Sequence, residues 1–217
     1  LNASYNIWVA LATLLSAWLV LGLARDLIGR LRGAGSLSRA LGRLTPSYWG
    51  MLVAHLGFAA CVMGVVVVSQ FAIEKDLKMS PGETAEVAGY TFEFLELAQV
   101  RGPNFVADEA RFRATKGESF EVYLVPQKCR YLAAGQVMTE ASIHAGVMRD
   151  LFVARGEPIG TEGAWAMRLH YKPMVRWMWI GATMMAFGAF ATVLDKRYRA
   201  RRRTVKQGVT EGAVHGV

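Results

Sequence analysis

The sequence predicts an α-helical membrane protein with three transmembrane spans and a small all-β, barrel-like domain on the outer side of the membrane. Three segments, residues 7–24, 48–72 and 175–194, each approach the roughly 20 apolar residues that cross about 30 Å of hydrocarbon. Arginine and lysine cluster in the link between the first two segments and after the third. Between the second and third segments, short runs of alternating hydrophobicity are typical of half-buried strands.

The two basic clusters orient the predicted spans. By the positive-inside rule, both clusters are cytoplasmic, which places the region between the last two spans in the periplasm of a bacterium or the intermembrane space of a mitochondrion. We take the bacterial inner membrane as the expected location. In chain order, the sequence predicts a span at 1–24, a cytoplasmic basic loop at 25–47, a span at 48–72, a periplasmic all-β domain at 73–172, a span at 173–195 and a cytoplasmic basic tail at 196–217.

The formal charge of +8 follows from these flanking clusters, so it indicates topology and contact with lipid. We expect no nucleic-acid partner, because no aromatic residue except Tyr198 lies among the basic residues to stack on bases. The chain begins with Leu1 and has no positively charged segment before its first span, which argues against a signal peptide. We therefore expect the C-terminal part of a longer polypeptide, although a truncated or processed chain would look the same.

The alternating region begins after Lys78. Tyr90, Phe92 and Phe94 alternate with Thr91 and other residues of the opposite face, and Lys116–Gly117 marks a turn between two further strands. Short strands at this spacing predict a closed or sandwiched module, with an OB-like barrel as one form. Residues 138–150, MTEASIHAGVMRD, have the composition of a loop.

The outer domain offers no recognisable catalytic or metal motif. His144 and His170 are far apart in sequence and have no neighbouring ligand at metal-site spacing, so we expect them at the surface or the edge of the core. Cys61 lies in a span and Cys129 in the outer domain, so no intrachain disulfide is expected. The sequence does not assign a role to either outer histidine or to Cys129.

His55 is the candidate site residue, because an ionisable side chain within a span is a functional-site hypothesis by default. A structural histidine that donates one hydrogen bond, a haem-iron ligand and a proton-relay or transport residue are the three alternatives. The small residues Gly50, Ala54, Gly57, Cys61 and Gly64 form one stripe suited to close packing of another helix.

At 100° per residue, His55 points about 140° away from Gly50, toward the side of Met51, Phe58 and Val62. That surround could accept a planar apolar macrocycle. A low-spin haem with two imidazole ligands needs a second histidine, however, and no other span of this sequence has one. Either no iron is bound or the second ligand comes from helices outside this sequence.

Several segments in the same order resemble the C-terminal third of the CcmF family, membrane subunits of system I cytochrome c maturation. The resemblance runs from about Thr45 to Arg199 and rests on TPSYWGMLVAHLGFA, EKDLKMSPGETAEVAGYTFEF, VRGPNF, MTEASIHAGVMRDLFVARGEP, GAWAMRLHYKPMVRWMW and LDKRYR. It implies a cytochrome c haem lyase subunit that receives haem from the chaperone CcmE and, with CcmH, attaches it to the CXXCH motif of apocytochrome c.

The resemblance also implies a b-type haem between two transmembrane histidines, the second in an HLG context that matches His55. His55 is therefore the expected cofactor-binding and metal-ligating residue, and no catalytic residue is assigned. The tryptophan-rich segment and the two outer-side histidines of the family have no counterpart here. The second axial ligand is thus expected from the remaining N-terminal helices of CcmF, and the chain is either a fragment or a split-gene product.

Two functions from different classes remain after the resemblance. In the first, the chain is the haem-handling part of a lyase complex, inactive by itself, and whether its haem is redox-active is open. In the second, the chain is a non-catalytic membrane anchor that presents the β-domain to assembly partners, and His55 is structural. Half of a transporter is a weaker third possibility, because only Ser16, Ser69 and Thr183 add polar groups to the spans.

Overall fold

The computed structural model describes residues 7–32, 37–133, 135–160 and 163–195. They divide into two compact units, one formed by the helices up to Val66 and from Trp177, the other by residues 67–176. The predicted basic tail, 196–217, lies outside the described residues, as do the first six residues of the predicted first span.

Among the described residues, four helices flank a single run of strands in chain order. They are α1 (Ile7–Leu31), α2 (Leu37–Arg43), α3 (Pro46–Phe71) and α4 (Val175–Leu194). By length and composition, α1, α3 and α4 are each apolar enough to cross a membrane. The short helix α2 lies within the region that the sequence predicts as a basic loop.

Two hydrogen bonds and a proline fix the start of α3. Thr45 acts as the N-cap, because its Oγ1 accepts a hydrogen bond from the Tyr48 amide (3.1 Å), and Pro46 occupies the first helical position, where no amide hydrogen is needed. The Ser47 amide donates to a carboxylate oxygen of Asp195, just after α4 (3.2 Å). Helices α3 and α4 are therefore joined at this end by a polar contact.

Ten strands form the second unit in the part of the chain that the structure describes. They are β1 (Ile73–Met79), β2 (Thr84–Val87), β3 (Tyr90–Arg101), β4 (Phe105–Lys116), β5 (Phe120–Leu124), β6 (Gln127–Tyr131), β7 (Val137–Glu140), β8 (Ser142–Ala145), β9 (Arg149–Ile159) and β10 (Ala164–Pro173). One sheet has the order β1-β10-β9-β8. The other has the order β2-β3-β4-β6-β7, with β5 paired to β4, and every pairing is antiparallel.

The all-β prediction is confirmed, and of its two forms the structure has the sandwich, because the described strands pair as two sheets and not as one closed barrel. The predicted alternation of β3 is also confirmed. Tyr90, Phe92 and Phe94 are buried, whereas Thr91 is exposed. Phe94 stacks on Phe112 of β4 with ring centroids 4.9 Å apart, at the centre of the core.

The loop expected at residues 138–150 is wrong. This region contains most of β7, all of β8 and the hairpin that leads into β9. All four residues of β7 are exposed, and β8 alternates between half-buried and exposed. Both strands have a hydrogen-bonded neighbour on one side only. Edge strands with little buried surface lack the hydrophobic alternation from which strands are predicted.

Candidate functional site

His55 lies on α3, and its side chain is exposed in the chain as described. The ring nitrogen Nδ1 lies 2.7 Å from the backbone carbonyl oxygen of Met51, one turn earlier in the same helix. A carbonyl oxygen can only accept, so Nδ1 must carry the hydrogen and donate it. In a neutral ring this hydrogen bond corresponds to the Nδ1–H tautomer, with the lone pair on Nε2.

This arrangement leaves Nε2 as the ring atom that could bind a metal. Metal-bound histidines commonly donate the other ring N–H to a backbone carbonyl, which fixes the ring and strengthens the ligand. The hydrogen bond of His55 to Met51 has this form. The same bond also satisfies the ring without any cofactor, and it lies within α3 and not between helices.

The small-residue face of α3 packs against α4, as the sequence predicts. A Cβ added to Gly50 would lie 2.5 Å from the Gly188 carbonyl oxygen, and one added to Gly57 would lie 2.6 Å from the Gly181 carbonyl oxygen. The same contacts hold in the other direction. A Cβ added to Gly188 would lie 2.8 Å from the Cβ of Ala54 on α3, and one added to Gly181 would lie 2.8 Å from the Cβ of Cys61. Only glycine allows the backbones to approach this closely, so these contacts explain the four glycines.

The face of α3 that carries His55 is apolar and open. Phe58 is exposed over about half of its surface, and Met51 and Val62 are half-buried. These residues are separated from His55 by one or two helical turns, so they flank the ring along the helix. An imidazole within an apolar strip fits one axial position of a haem.

A complete metal site is not formed by the described residues. Among them, no group of three or more His, Cys, Asp or Glu side chains could hold a metal ion. The other two described histidines belong to the sandwich, and His215 lies outside the described residues. Any iron at His55 would therefore need its second ligand from elsewhere.

The two histidines of the sandwich have structural surroundings. His144 on β8 meets the ring of Phe120 edge-on at 5.7 Å, and burial lowers its pKa. His170 on β10 is almost fully buried, packs edge-on against Phe152 at 4.8 Å and lies 3.4 Å from Glu74 through Nε2, without hydrogen-bond geometry. Burial also lowers the pKa of His170.

The two cysteines lie in different units. Cys61 is half-buried against Gly181 of α4. Cys129 is buried on β6, where its thiol donates weakly to Gln127 at 3.8 Å, and burial raises its pKa. A thiol kept protonated by burial is a poor nucleophile.

Sequence reasoning missed Arg155 on β9, one of the most buried side chains described. Its guanidinium carbon lies 3.8 Å from the ring centroid of Trp165, its Nη1 lies 3.6 Å from a carboxylate oxygen of Asp108, and burial lowers its pKa. It lines a cavity of about 620 Å³ together with Lys128. Alternation from Leu151 could have placed Arg155 on the inner face, but the residue type argued against it.

Comparison with known proteins gives consistent matches. A family model described as the CcmF C-terminal beta-sandwich matches residues 70–173. The cytochrome c-type biogenesis protein CcmF of Pseudomonas fluorescens is 44% identical over 208 residues, which are 95% of this chain and 31% of that protein. CcmF of Escherichia coli is 42% identical over 159 residues, 73% of this chain and 24% of that protein.

A solved structure, Cytochrome c Heme Lyase CcmF, has the same fold. Its TM-score is 0.59 at 18% identity, and the match covers 82% of this chain and 34% of that chain. At that identity the likeness concerns the fold alone. The matched part of the chain spans between about a quarter and a third of the length of these relatives.

Proposed function

Because this chain belongs to the CcmF family and corresponds to its C-terminal portion, we propose that it binds haem b in the bilayer through His55 and assists covalent haem attachment to apocytochrome c. The observation that carries the proposal is the hydrogen bonding and orientation of the His55 ring. The ring is fixed by Met51, its Nε2 lone pair is available, and it faces away from the helix pair.

The proposal includes a subcellular location and a membrane topology. Helices α1, α3 and α4 cross the bacterial inner membrane, and the sandwich lies in the periplasm, where apocytochrome c is modified. The length and hydropathy of the three helices support this topology, as do the arginines that follow α1. In this orientation His55 lies nearer the cytoplasmic end of α3.

Each part of the site has a separate task in this proposal. His55 supplies one axial nitrogen, and the Met51 carbonyl holds the ring and increases the donor strength of Nε2. Phe58 and its apolar neighbours exclude water from one side of the site. The glycine contacts with α4 keep the rear of α3 fixed, so that the ring is presented from a rigid element.

Bound haem would supply an axially ligated iron with a one-electron couple. A second ligand would come from N-terminal helices outside this sequence. CcmE, CcmH and apocytochrome c are the proposed partners, in line with the cytochrome c-type biogenesis names of the relatives.

An absorption spectrum tests the ligand role of His55. In detergent, the full-length protein that includes the N-terminal helices should show a low-spin b-type spectrum, and His55→Gly should lose most of it. Added imidazole should restore the spectrum of His55→Gly, because a free imidazole can occupy the vacated position. His144→Gly and His170→Gly are matched controls and should keep the spectrum.

The alternative is a non-catalytic membrane anchor, favoured by the fact that the Met51 carbonyl alone satisfies His55. An unchanged spectrum in His55→Gly would reject His55 as a haem ligand and favour the structural role that this alternative gives it. Loss of the spectrum without rescue by imidazole would also count against a direct ligand role.

A further inference from the structure

The hairpin between β8 and β9 ends in two large apolar residues, Val147 and Met148. Their side chains are 58% and 61% exposed, among the most exposed apolar residues of the sandwich. Hairpin tips usually carry polar or turn-forming residues such as Gly, Asn and Asp. An apolar pair at such a tip is suited to a partner that removes it from water.

This tip is rigid. The Gly146 amide donates to the Arg149 carbonyl oxygen at 2.9 Å and lies 3.0 Å from a carboxylate oxygen of Asp150. The Arg149 side chain in turn donates to the Tyr90 hydroxyl at 2.6 Å and lies over the ring of Phe120 at 4.3 Å from its centroid. Val147 and Met148 are thus presented by a turn that is fixed at its base.

The tip is also tied to the point where the sandwich ends and α4 begins. The Met174 amide donates to the Met148 carbonyl oxygen at 2.9 Å, and Val175 is the first residue of α4. Met174 has a φ of 54°, which is uncommon for a residue with a side chain. This left-handed corner turns the chain from β10 into α4 directly beside the tip.

Basic residues lie close in sequence to the apolar pair and to the corner. Arg149 follows Met148 directly, and Lys172 and Arg176 lie on either side of the corner. Asp150 is the acidic residue among them, 4.0 Å from Arg176. Apolar side chains with a basic border match the chemistry of a lipid interface, where tails meet phosphate groups.

We propose that the β8–β9 tip inserts Val147 and Met148 into the headgroup region of the bilayer that α4 enters. The inference rests on the membrane insertion of α4, which belongs to the proposed function, but not on haem binding. The partner is phospholipid, because the tip is hydrogen-bonded to the residue that precedes a helix of membrane-spanning length. The tip then acts as a second anchor beside the helix entry.

Site-directed labelling tests this proposal in the full 217-residue chain. In a Cys61→Ala, Cys129→Ala background, an environment-sensitive fluorophore is attached at Met148→Cys, at Ile159→Cys or at Phe187→Cys. Ile159 is the matched control, an exposed apolar residue at the opposite end of β9, about 30 Å along the strand. Phe187 is exposed on α4 and reports insertion of that helix.

The labelled chains are reconstituted into vesicles of phosphatidylethanolamine and phosphatidylglycerol that contain lipids with a nitroxide at the headgroup or in the acyl chain. We expect headgroup nitroxide to quench the label at 148 at least twofold more strongly than the label at 159. Acyl-chain nitroxide should quench the label at 187 most strongly.

Equal headgroup quenching at 148 and 159 would overturn the proposal while the label at 187 still reports insertion. Protection of 148 from both lipid nitroxide and aqueous iodide would show a protein partner in place of lipid and would also overturn it. If the label at 187 is not quenched, membrane insertion fails and the proposal fails with it. His55 contributes to none of these signals, so haem ligation stands or falls separately.

Discussion

The β-sandwich and the helical part of the chain differ in where their large apolar side chains lie. In the sandwich, Phe92, Phe94 and Phe112 have no exposed surface. In α1, Trp8 and Trp18 are 74% and 80% exposed. The sandwich buries its apolar residues against its own strands, whereas the helices leave many of theirs exposed.

The difference teaches that the two parts depend on different surroundings. The sandwich core is complete within residues 67–176, so its stability comes from packing that this chain supplies. The helices bury little apolar surface apart from the contact between α3 and α4, where small residues replace large ones. Their arrangement depends on a few close backbone contacts and on an apolar environment.

Removing a ring from the sandwich core should have the largest effect. Phe112→Ala leaves a cavity where Phe94 now stacks, and substitutions of this kind cost about 3–5 kcal/mol. We expect a loss of this size in the free energy of unfolding of the sandwich, measured by denaturant titration with circular dichroism. The loss should be the same in detergent and in lipid. A loss that depends on the lipid would show that the sandwich core is not self-contained.

A substitution at the contact between α3 and α4 should have the next largest effect. Gly57→Leu would place a Cβ 2.6 Å from the Gly181 carbonyl oxygen and 2.7 Å from Cβ of Met184, so the helices must separate. Overpacking of this kind costs about 1–3 kcal/mol. Thermal unfolding in detergent should show the loss, together with weaker cross-linking between α3 and α4.

Gly22→Leu on α1 is the control for this substitution, because nothing lies within 4 Å of an added Cβ there. It should leave the melting temperature unchanged. If both variants melt alike, the contact between the glycines does not hold the helix pair together.

These helices and strands also show what the sequence could and could not predict. The stripe that contains Gly50 and Gly57 could be predicted from the sequence, because helical periodicity is local and glycine permits close packing of helices. The sequence could not decide between a barrel and a sandwich, because that choice depends on which strands, distant in sequence, pair with each other. The edge strands β7 and β8 were missed because burial, the source of the alternation, is absent there.

The candidate site was predicted only in part. His55 stood out as the one histidine in an apolar span. Its hydrogen bond to Met51 depends on the side-chain rotamer, which composition does not determine. Arg155 was missed for a different reason. Its burial depends on Asp108, which is distant in sequence, and on Trp165 of the paired strand β10.

The smallest predicted effect is a pH dependence within the sandwich. Burial lowers the pKa of His170 below its usual value near 6.5, and the nearby charges are Glu74, Lys172, Arg168 and Asp76. Since the unfolded chain then binds the proton more readily, the free energy of unfolding should fall as the pH drops below about 6.5 and should be fully present above it. Denaturant titrations at a series of pH values measure this fall.

His170→Gln should reduce the decrease in the free energy of unfolding at low pH, because it removes one group that is protonated more readily in the unfolded state. His144→Gln should remove a separate part, since burial lowers the pKa of His144 as well. An unchanged slope in His170→Gln would mean that the folded domain accepts the proton at His170 without penalty.

The glycines of the helix pair are spaced alike on both helices. Gly50 and Gly57 are seven residues apart, as are Gly181 and Gly188, and Gly50 meets Gly188 while Gly57 meets Gly181. Two such contacts, about 10 Å apart along the axes, allow one alignment of the pair. Sliding by a single turn would drive a side chain into the opposite backbone at both levels. We therefore expect α3 and α4 to move together, as one rigid unit, in any rearrangement among the helices.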